Sequence, residues 1–301
     1  EKNNNLLFIY TDNFKVLFDT TNGFISGYEY KNQILLDSNI KPFFWRAPTD
    51  NDLGNNMHDR CAVWKEAHNE FLLQSIDTVK INNTFTIQTK FFHNETQCQL
   101  EIDYKVYGNG LVLIKQTLFP PLNPLPELPR YGMKMTLPER FKYIEWFGRG
   151  PHESYWDRKS SASIGKYKGN VWDQTYKYIR PQETGNKTDV RWMTLSDNKI
   201  GLLFKGFKTF DFSAHNYAYS ILDYEPNSQK HGKLDINKGK QIDVLIDYRQ
   251  MGLGGDNSWG ARTHLEYSLP IDTTKYILEY ALVPFNKEDD IQELTRIHIE
   301  H

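Results

Sequence analysis

The strongest constraint on the fold is a period of two that runs from residue 84 to residue 119. Phe85, Ile87, Thr89 and Phe91 alternate with Thr86, Gln88 and Lys90; Leu100, Ile102, Tyr104 and Val106 alternate with Glu101, Asp103, Lys105 and Tyr107. Successive side chains of an extended chain point to opposite faces, so this alternation gives each strand one dry face and one wet face. His93-Asn94-Glu95-Thr96 and Gly108-Asn109-Gly110 supply the turns, and the three runs, the last at 111–119, read as an antiparallel meander. Further extended stretches are predicted at 14–18, 24–36, 131–137, 143–147, 200–204, 241–248, 263–269 and 276–283. Helix is scarce. One candidate covers 58–68, and a short closing helix follows Glu288, Asp289 and Asp290, with Ile291, Leu294 and Ile297 as its apolar stripe. Five prolines between residues 120 and 129 stiffen a connection that reads as a crossing between two sheets. Many short strands, few short helices and long Gly/Pro-punctuated loops predict an all-β chain, a large antiparallel two-sheet sandwich over residues 1–301 as one domain.

At 301 residues the chain can bury a sizeable core. Its 36 basic and 38 acidic residues nearly cancel, so no charge excess points to nucleic acid or to an anionic membrane surface. No apolar run reaches the ~18 residues of a membrane-spanning helix. Cys61 and Cys98 form neither a disulfide framework nor a CxxC metal pattern, which leaves the compartment open. G-x-S-x-G, H-E-x-x-H and the P-loop are missing, which removes esterase, zinc-protease and NTP-binding readings. Asp50-Asn51-Asp52 lacks the frame of a calcium loop, so local turn bonding is its expected role. The opening Glu-Lys-Asn-Asn-Asn reads as the start of a piece cut from a longer chain.

Residues 251–260 carry four glycines around Asp256, Asn257, Ser258 and Trp259. Glycine opens turns with positive φ. An indole beside short polar side chains suits a sugar, whose C–H face packs on a π-surface while its hydroxyls need polar partners. A turn with its Trp tucked into the core is the competing reading. His152 with Glu153, and His215 separately, are candidates for acid–base work, set against the commoner role of hydrogen-bonded loop residues. No two carboxylates mark themselves as a pair flanking a glycosidic bond.

Four loops occur in a fixed order: Trp45-Arg46-Ala47-Pro48-Thr49-Asp50-Asn51-Asp52, Gly148-Arg149-Gly150-Pro151-His152-Glu153-Ser154-Tyr155, Arg180-Pro181-Gln182-Glu183-Thr184-Gly185-Asn186 and Gly252-Leu253-Gly254-Gly255-Asp256-Asn257-Ser258-Trp259. Together they resemble the C-terminal domain of the long, lactose-cleaving bacterial β-galactosidases of glycoside hydrolase family 2, in some of which this region is a separate small chain. The resemblance covers residues 13–285. It implies a galactose-mutarotase-like supersandwich that is a fragment of a larger multidomain enzyme hydrolysing terminal β-D-galactosides such as lactose. It also implies that a separate (β/α)₈ barrel, absent from this chain, holds the two catalytic glutamates and the Mg²⁺ and Na⁺ ligands. No catalytic residue, metal or cofactor is then expected here, and the isolated chain is expected to be inert. Trp259 takes the position of the family's Trp that stacks on substrate at the outer part of the site, with Asp256, Asn257 and Ser258 shaping the loop. Arg46, Asp50 and Asn51 are candidates to brace that loop or reach a domain interface, with a buried Arg–Asp pair inside the domain as the alternative. His152 and Glu153 are read as structural. The implied partners are the remaining domains of the parent, itself expected to be a homo-oligomer, and the galactoside. Two rival readings stand: an aldose 1-epimerase using a His acid and a Glu base, whose motifs these residues do not match, and a non-catalytic carbohydrate-binding module.

Overall fold

The protein is described by a computed structural model over residues 1–3, 5–36, 38–226 and 236–297. Among these residues the strands form two hydrogen-bonded sheets. The smaller runs in sequence order through β1 (Lys2–Asn3), β2 (Leu6–Tyr10), β3 (Phe14–Asp19), β4 (Phe24–Tyr30) and β5 (Gln33–Leu36). The extended stretch 24–36 is thus two strands. They reverse at Lys31 and Asn32, both at positive φ (47° and 59°), the geometry that suits a tight two-residue hairpin.

Twelve strands make the larger sheet. Before the proline-rich crossing come β6 (Lys41–Phe43), β7 (Leu72–Ile81), β8 (Thr84–Phe92), β9 (Gln99–Tyr107) and β10 (Val112–Phe119). After it come β11 (Arg130–Pro138), β12 (Tyr143–Gly150), β13 (Ser163–Asn170), β14 (Lys187–Ser196), β15 (Ile200–His215), β16 (Gln241–Gln250) and β17 (Tyr276–Asn286). The meander is antiparallel throughout, with Ile87 opposite Tyr104 and Phe91 opposite Leu100, and all four are buried. β15 is the pivot. Residues 200–206 pair with β17 and residues 211–215 with β16, so one strand belongs to two arms of the sheet. Gly206 lies at the changeover, where a Cβ would collide with the Lys208 carbonyl. From there β17, β10, β9, β8 and β7 form one arm, and β16, β11 and β6 the other. Residues 120–129 carry the chain from the first arm to the second.

One buried cluster joins Phe18 of the small sheet, Tyr104 of the meander and Val244 of β16. A second lies on the opposite face of the meander, where Leu113, Leu203 and Val283 meet Ile291, Leu294 and Ile297. Burying each such side chain contributes roughly 1.5–3 kcal/mol.

The predicted helix 58–68 is corrected by the structure. The segment breaks into α1 (Asp50–Gly54), α2 (Met57–Arg60), one 3₁₀ turn (Ala62–Trp64) and α3 (Ala67–Glu70). The helical spacing of Met57, Cys61, Trp64 and Ala67 does give burial, but Cys61 (φ −105°, ψ 14°) and Glu66 (φ −104°, ψ 0°) leave the helical region and interrupt the ladder. The closing helix is α4 (Ile291–Arg296), capped by the Asp290 side chain, which accepts from the Gln292 N–H. The predicted strand at 263–269 is also corrected: it is an irregular limb with one 3₁₀ turn at Leu265–Tyr267. Among the described residues no strand pairs with it, and of its alternating Leu265, Tyr267 and Leu269 only Leu269 enters the core. Cys61 and Cys98 are buried free thiols, and burial pushes Cys61 up to about 12, which leaves it unreactive at neutral pH.

Candidate functional site

At the end of β16 the chain leaves the sheet as the glycine loop. Its root is built into the protein. The Met251 N–H donates to the Pro129 carbonyl at 3.1 Å and the Gly252 N–H to the Tyr267 carbonyl at 2.7 Å. The Asp157 carboxylate accepts from the Leu253 N–H at 2.9 Å and from the Gly254 N–H at 2.8 Å. Asn51 donates its Nδ2 to the Leu253 carbonyl at 3.2 Å. Gly255, at φ +102°, leaves no room for a side chain, since a Cβ there would stand 2.8 Å from Asn51 Nδ2.

Arg46 is the main brace. It is fully buried and grips Asp52 through both faces of its fork, Nε to Oδ2 at 3.0 Å and Nη2 to Oδ1 at 2.7 Å. The same guanidinium donates to the Met251 carbonyl, and to the Gly252 carbonyl at 3.1 Å. Asp52 is itself fixed by local sequence. It closes a capping box with Thr49 at the start of α1, each side chain accepting from the other's backbone N–H. Burial works against the Arg46 charge, but Asp52, with Glu183 and Asp157 beyond it, more than offsets this and holds its pKa above the ordinary arginine value. A charged, bidentate contact thus couples α1 to the loop.

The tip is open. Asp256, Asn257, Ser258 and Trp259 are all exposed, and Trp259 is 90% accessible. Asn257 Oδ1 accepts from the Trp259 N–H at 2.9 Å and the Ala261 N–H at 3.3 Å, an Asx turn that sets the backbone under the indole. Asp256 Oδ2 bonds His264 Nε2 across the neck of the loop. Of the candidate braces, Arg46 and Asn51 contact the loop, whereas Asp50 bonds Arg180 at 2.9 Å and Gln182 at 3.0 Å and so holds the neighbouring 180–182 segment. Arg46 also makes the buried Arg–Asp pair, so the two roles weighed for it coexist. Asp52 does the local turn bonding expected of Asp50-Asn51-Asp52, whereas the sequence points to no role for Asp157 or His264. Asp157 follows the Gly-Pro loop in sequence, but its bond to Leu253 spans 96 positions, and no local pattern announces that.

Behind the loop lies a buried polar cluster. Arg130 pairs with Glu183 at 3.0 Å and sits 3.3 Å from Asp247, the latter an ion pair without hydrogen-bond alignment. Glu183 also accepts from Tyr219 and, at 3.2 Å, from Gln250 Nε2. His215 bonds Tyr217 at 3.0 Å, and burial lowers its pKa to about 3, so it is neutral. None of Arg130, Glu183, His215 and Asp247 is more than 2% exposed. Glu153 is occupied by Arg158 at 2.7 Å, the Gly185 N–H at 2.8 Å, Thr184 and Tyr178, and His152 by Ser161 at 3.2 Å. No two of these groups face each other across an open cleft as acid and base would. Among the described residues no group of three or more His, Cys, Asp or Glu converges as metal ligands would.

The sequence of residues 10–282 matches the family model described as beta galactosidase small chain. A β-galactosidase of Priestia megaterium is 38% identical over 270 residues, which are 89% of this chain and 26% of that protein. The chain spans about a quarter of the length of the curated relatives it matches. Among solved structures it resembles a galactose 1-epimerase from Lactobacillus acidophilus (TM-score 0.52, 8% identity, 93% of this chain and 94% of that one). It also resembles a galactose mutarotase related enzyme from the same organism (TM-score 0.50, 7% identity, 94% and 98%). These likenesses are of fold: the curled antiparallel sheets are galactose-mutarotase-like. The match over nearly the whole chain settles the family, and the chain belongs to the beta galactosidase small chain family.

Proposed function

We propose that this chain is the C-terminal domain of a lactose-cleaving β-galactosidase of the glycoside hydrolase family 2 kind, and that it completes the substrate site with Trp259. In this reading the catalytic glutamates, Mg²⁺ and Na⁺ belong to a barrel domain outside the chain, and the chain by itself turns over nothing. The observation that carries it is the placement of Trp259: a large apolar ring in water, on a loop whose root is clamped by buried charge. Burying an indole would be the default for a chain with this core. Holding one out rigidly suits a sugar face arriving from a neighbouring domain. Arg46, Asn51 and Asp157 then act through the loop, not on the galactoside. The complete burial of Arg130, Glu183, His215 and Asp247 speaks against the epimerase reading, since a sugar has no route to them.

Covering one indole face removes on the order of 80 Å² of apolar surface, worth about 2 kcal/mol or roughly 30-fold in affinity. Trp259→Ala in the complete enzyme is therefore expected to raise KM for lactose roughly 30-fold, with a much smaller fall in kcat for the glycosylation step. Steady-state kinetics on lactose check this, and an unchanged KM would remove Trp259 from the site.

A further inference from the structure

We propose that the Asp256–His264 pair is a clasp that fixes the Trp259 indole over the site, which makes His264 a positioning residue for sugar binding; this rests on the stacking role assigned above. Upstream, the loop is fixed as far as Gly254 by Asp157, Arg46 and Asn51. Downstream, it is fixed again where Tyr267 accepts from Gly252. Between those points the side chain of Asn257 bonds only backbone two and four residues on. Gly254, Gly255 and Gly260 all sit at positive φ (66°, 102° and 86°), and glycine leaves the segment the most conformational freedom to lose. Outside that Asn257 turn, Asp256 to His264 is a side-chain to side-chain bond that ties the outgoing limb to the returning one, closing a wider ring around Trp259.

The groups facing His264 are acidic. Asp256 reaches it from the tip, Glu266 Oε1 stands 3.8 Å from Nδ1 on its own turn, and Asp157 acts from the loop beneath. The Asp256 hydrogen bond, then the charges of Asp256 and Glu266, raise the His264 pKa above its ordinary value. A raised histidine keeps its ion pair at lower pH and loses it as pH climbs through the raised value. The clasp is therefore tight below the raised His264 value and loosens as pH climbs through it.

Both partners are about half exposed (53% and 57%), so the effect is that of an exposed pair, roughly two- to fivefold. The test is KM and kcat for lactose against pH in the complete enzyme for wild type, His264→Gln, His264→Arg, Trp259→Ala and the Trp259→Ala/His264→Gln double variant. Wild type should show KM rising roughly two- to fivefold as pH passes the raised His264 value. His264→Gln should start at the higher KM with that step gone and kcat unchanged. His264→Arg, charged throughout, should hold the low KM across the range. In the Trp259→Ala background, His264→Gln should change nothing. If Trp259→Ala raises KM but His264→Gln overlays the wild-type profile, the clasp is wrong and stacking stands. If His264→Gln still raises KM without the indole, His264 acts on the sugar directly and the proposal is overturned. If Trp259→Ala leaves KM alone, stacking fails and the clasp with it.

Discussion

Arg130→Met is expected to destabilise the folded chain by about 3–5 kcal/mol at neutral pH. The guanidinium lies between the Glu183 and Asp247 carboxylates with no solvent access, its Cζ over the Tyr219 and Phe43 rings at 5.2 and 5.7 Å from their centroids. Removing it strands two buried carboxylates, and a thioether cannot answer either. The loss also has a pH signature. Burial raises the Asp247 pKa even with Arg130 present to oppose it. Without Arg130 the carboxyl rises further above its unfolded value of about 3.9. A carboxyl raised by folding takes up its proton as pH falls, so the deficit is complete above the raised value and shrinks toward acid. Urea denaturation of wild type and variant at neutral and acidic pH checks both parts. A loss below about 1 kcal/mol at neutral pH would mean the cluster is not held by this charge.

Arg46→Met carries the second large effect. It leaves Asp52 buried without its cation and frees the carbonyls of Met251 and Gly252. A stability loss of about 3–5 kcal/mol is expected, with a KM for lactose in the complete enzyme raised in the direction of Trp259→Ala, because the loop root is no longer pinned. Arg46→Lys separates the two consequences. Its point charge still neutralises Asp52 but cannot fork to carboxylate and carbonyls together, so it should recover most of the stability and less of the KM. Denaturation midpoints and KM for the three proteins give the comparison, and a KM unaffected by either substitution would uncouple the loop from α1.

The parts of this molecule that announced themselves are those governed by neighbours in sequence. The meander was legible because Phe85 to Phe91 and Leu100 to Val106 alternate without a break, and the same period places them in the core. The closing helix was legible from an acidic first turn and a three-residue stripe. The double pairing of β15 was not, because one continuous strand changes partner along its length, from β17 at residues 200–206 to β16 at residues 211–215, which no periodicity records. The limb at 263–269 was misread because alternation describes a strand only if a partner lies alongside, and here Leu265 and His264 face water. At the site, the glycines and the indole were visible as a composition, which left open whether the ring is buried or exposed, and Arg46, Asp50 and Asn51 through the ordered set of loops. What tells Arg46 from Asp50 is a fold-level fact: the first points into the root of the loop, the second toward Arg180. Asp157 and the Glu183–Arg130 cluster join residues far apart in the chain, so only the folded backbone reveals them.

Hydrolysis of a chromogenic β-galactoside by the 301 residues alone, then after mixing with the rest of the parent polypeptide, tests most directly where the chemistry resides. The expected result is no turnover by the chain alone and turnover once the partner is added, reduced roughly 30-fold by Trp259→Ala at subsaturating substrate. Turnover by the isolated chain at a rate near that of the complete enzyme would place the reactive acids within these 301 residues and contradict the account.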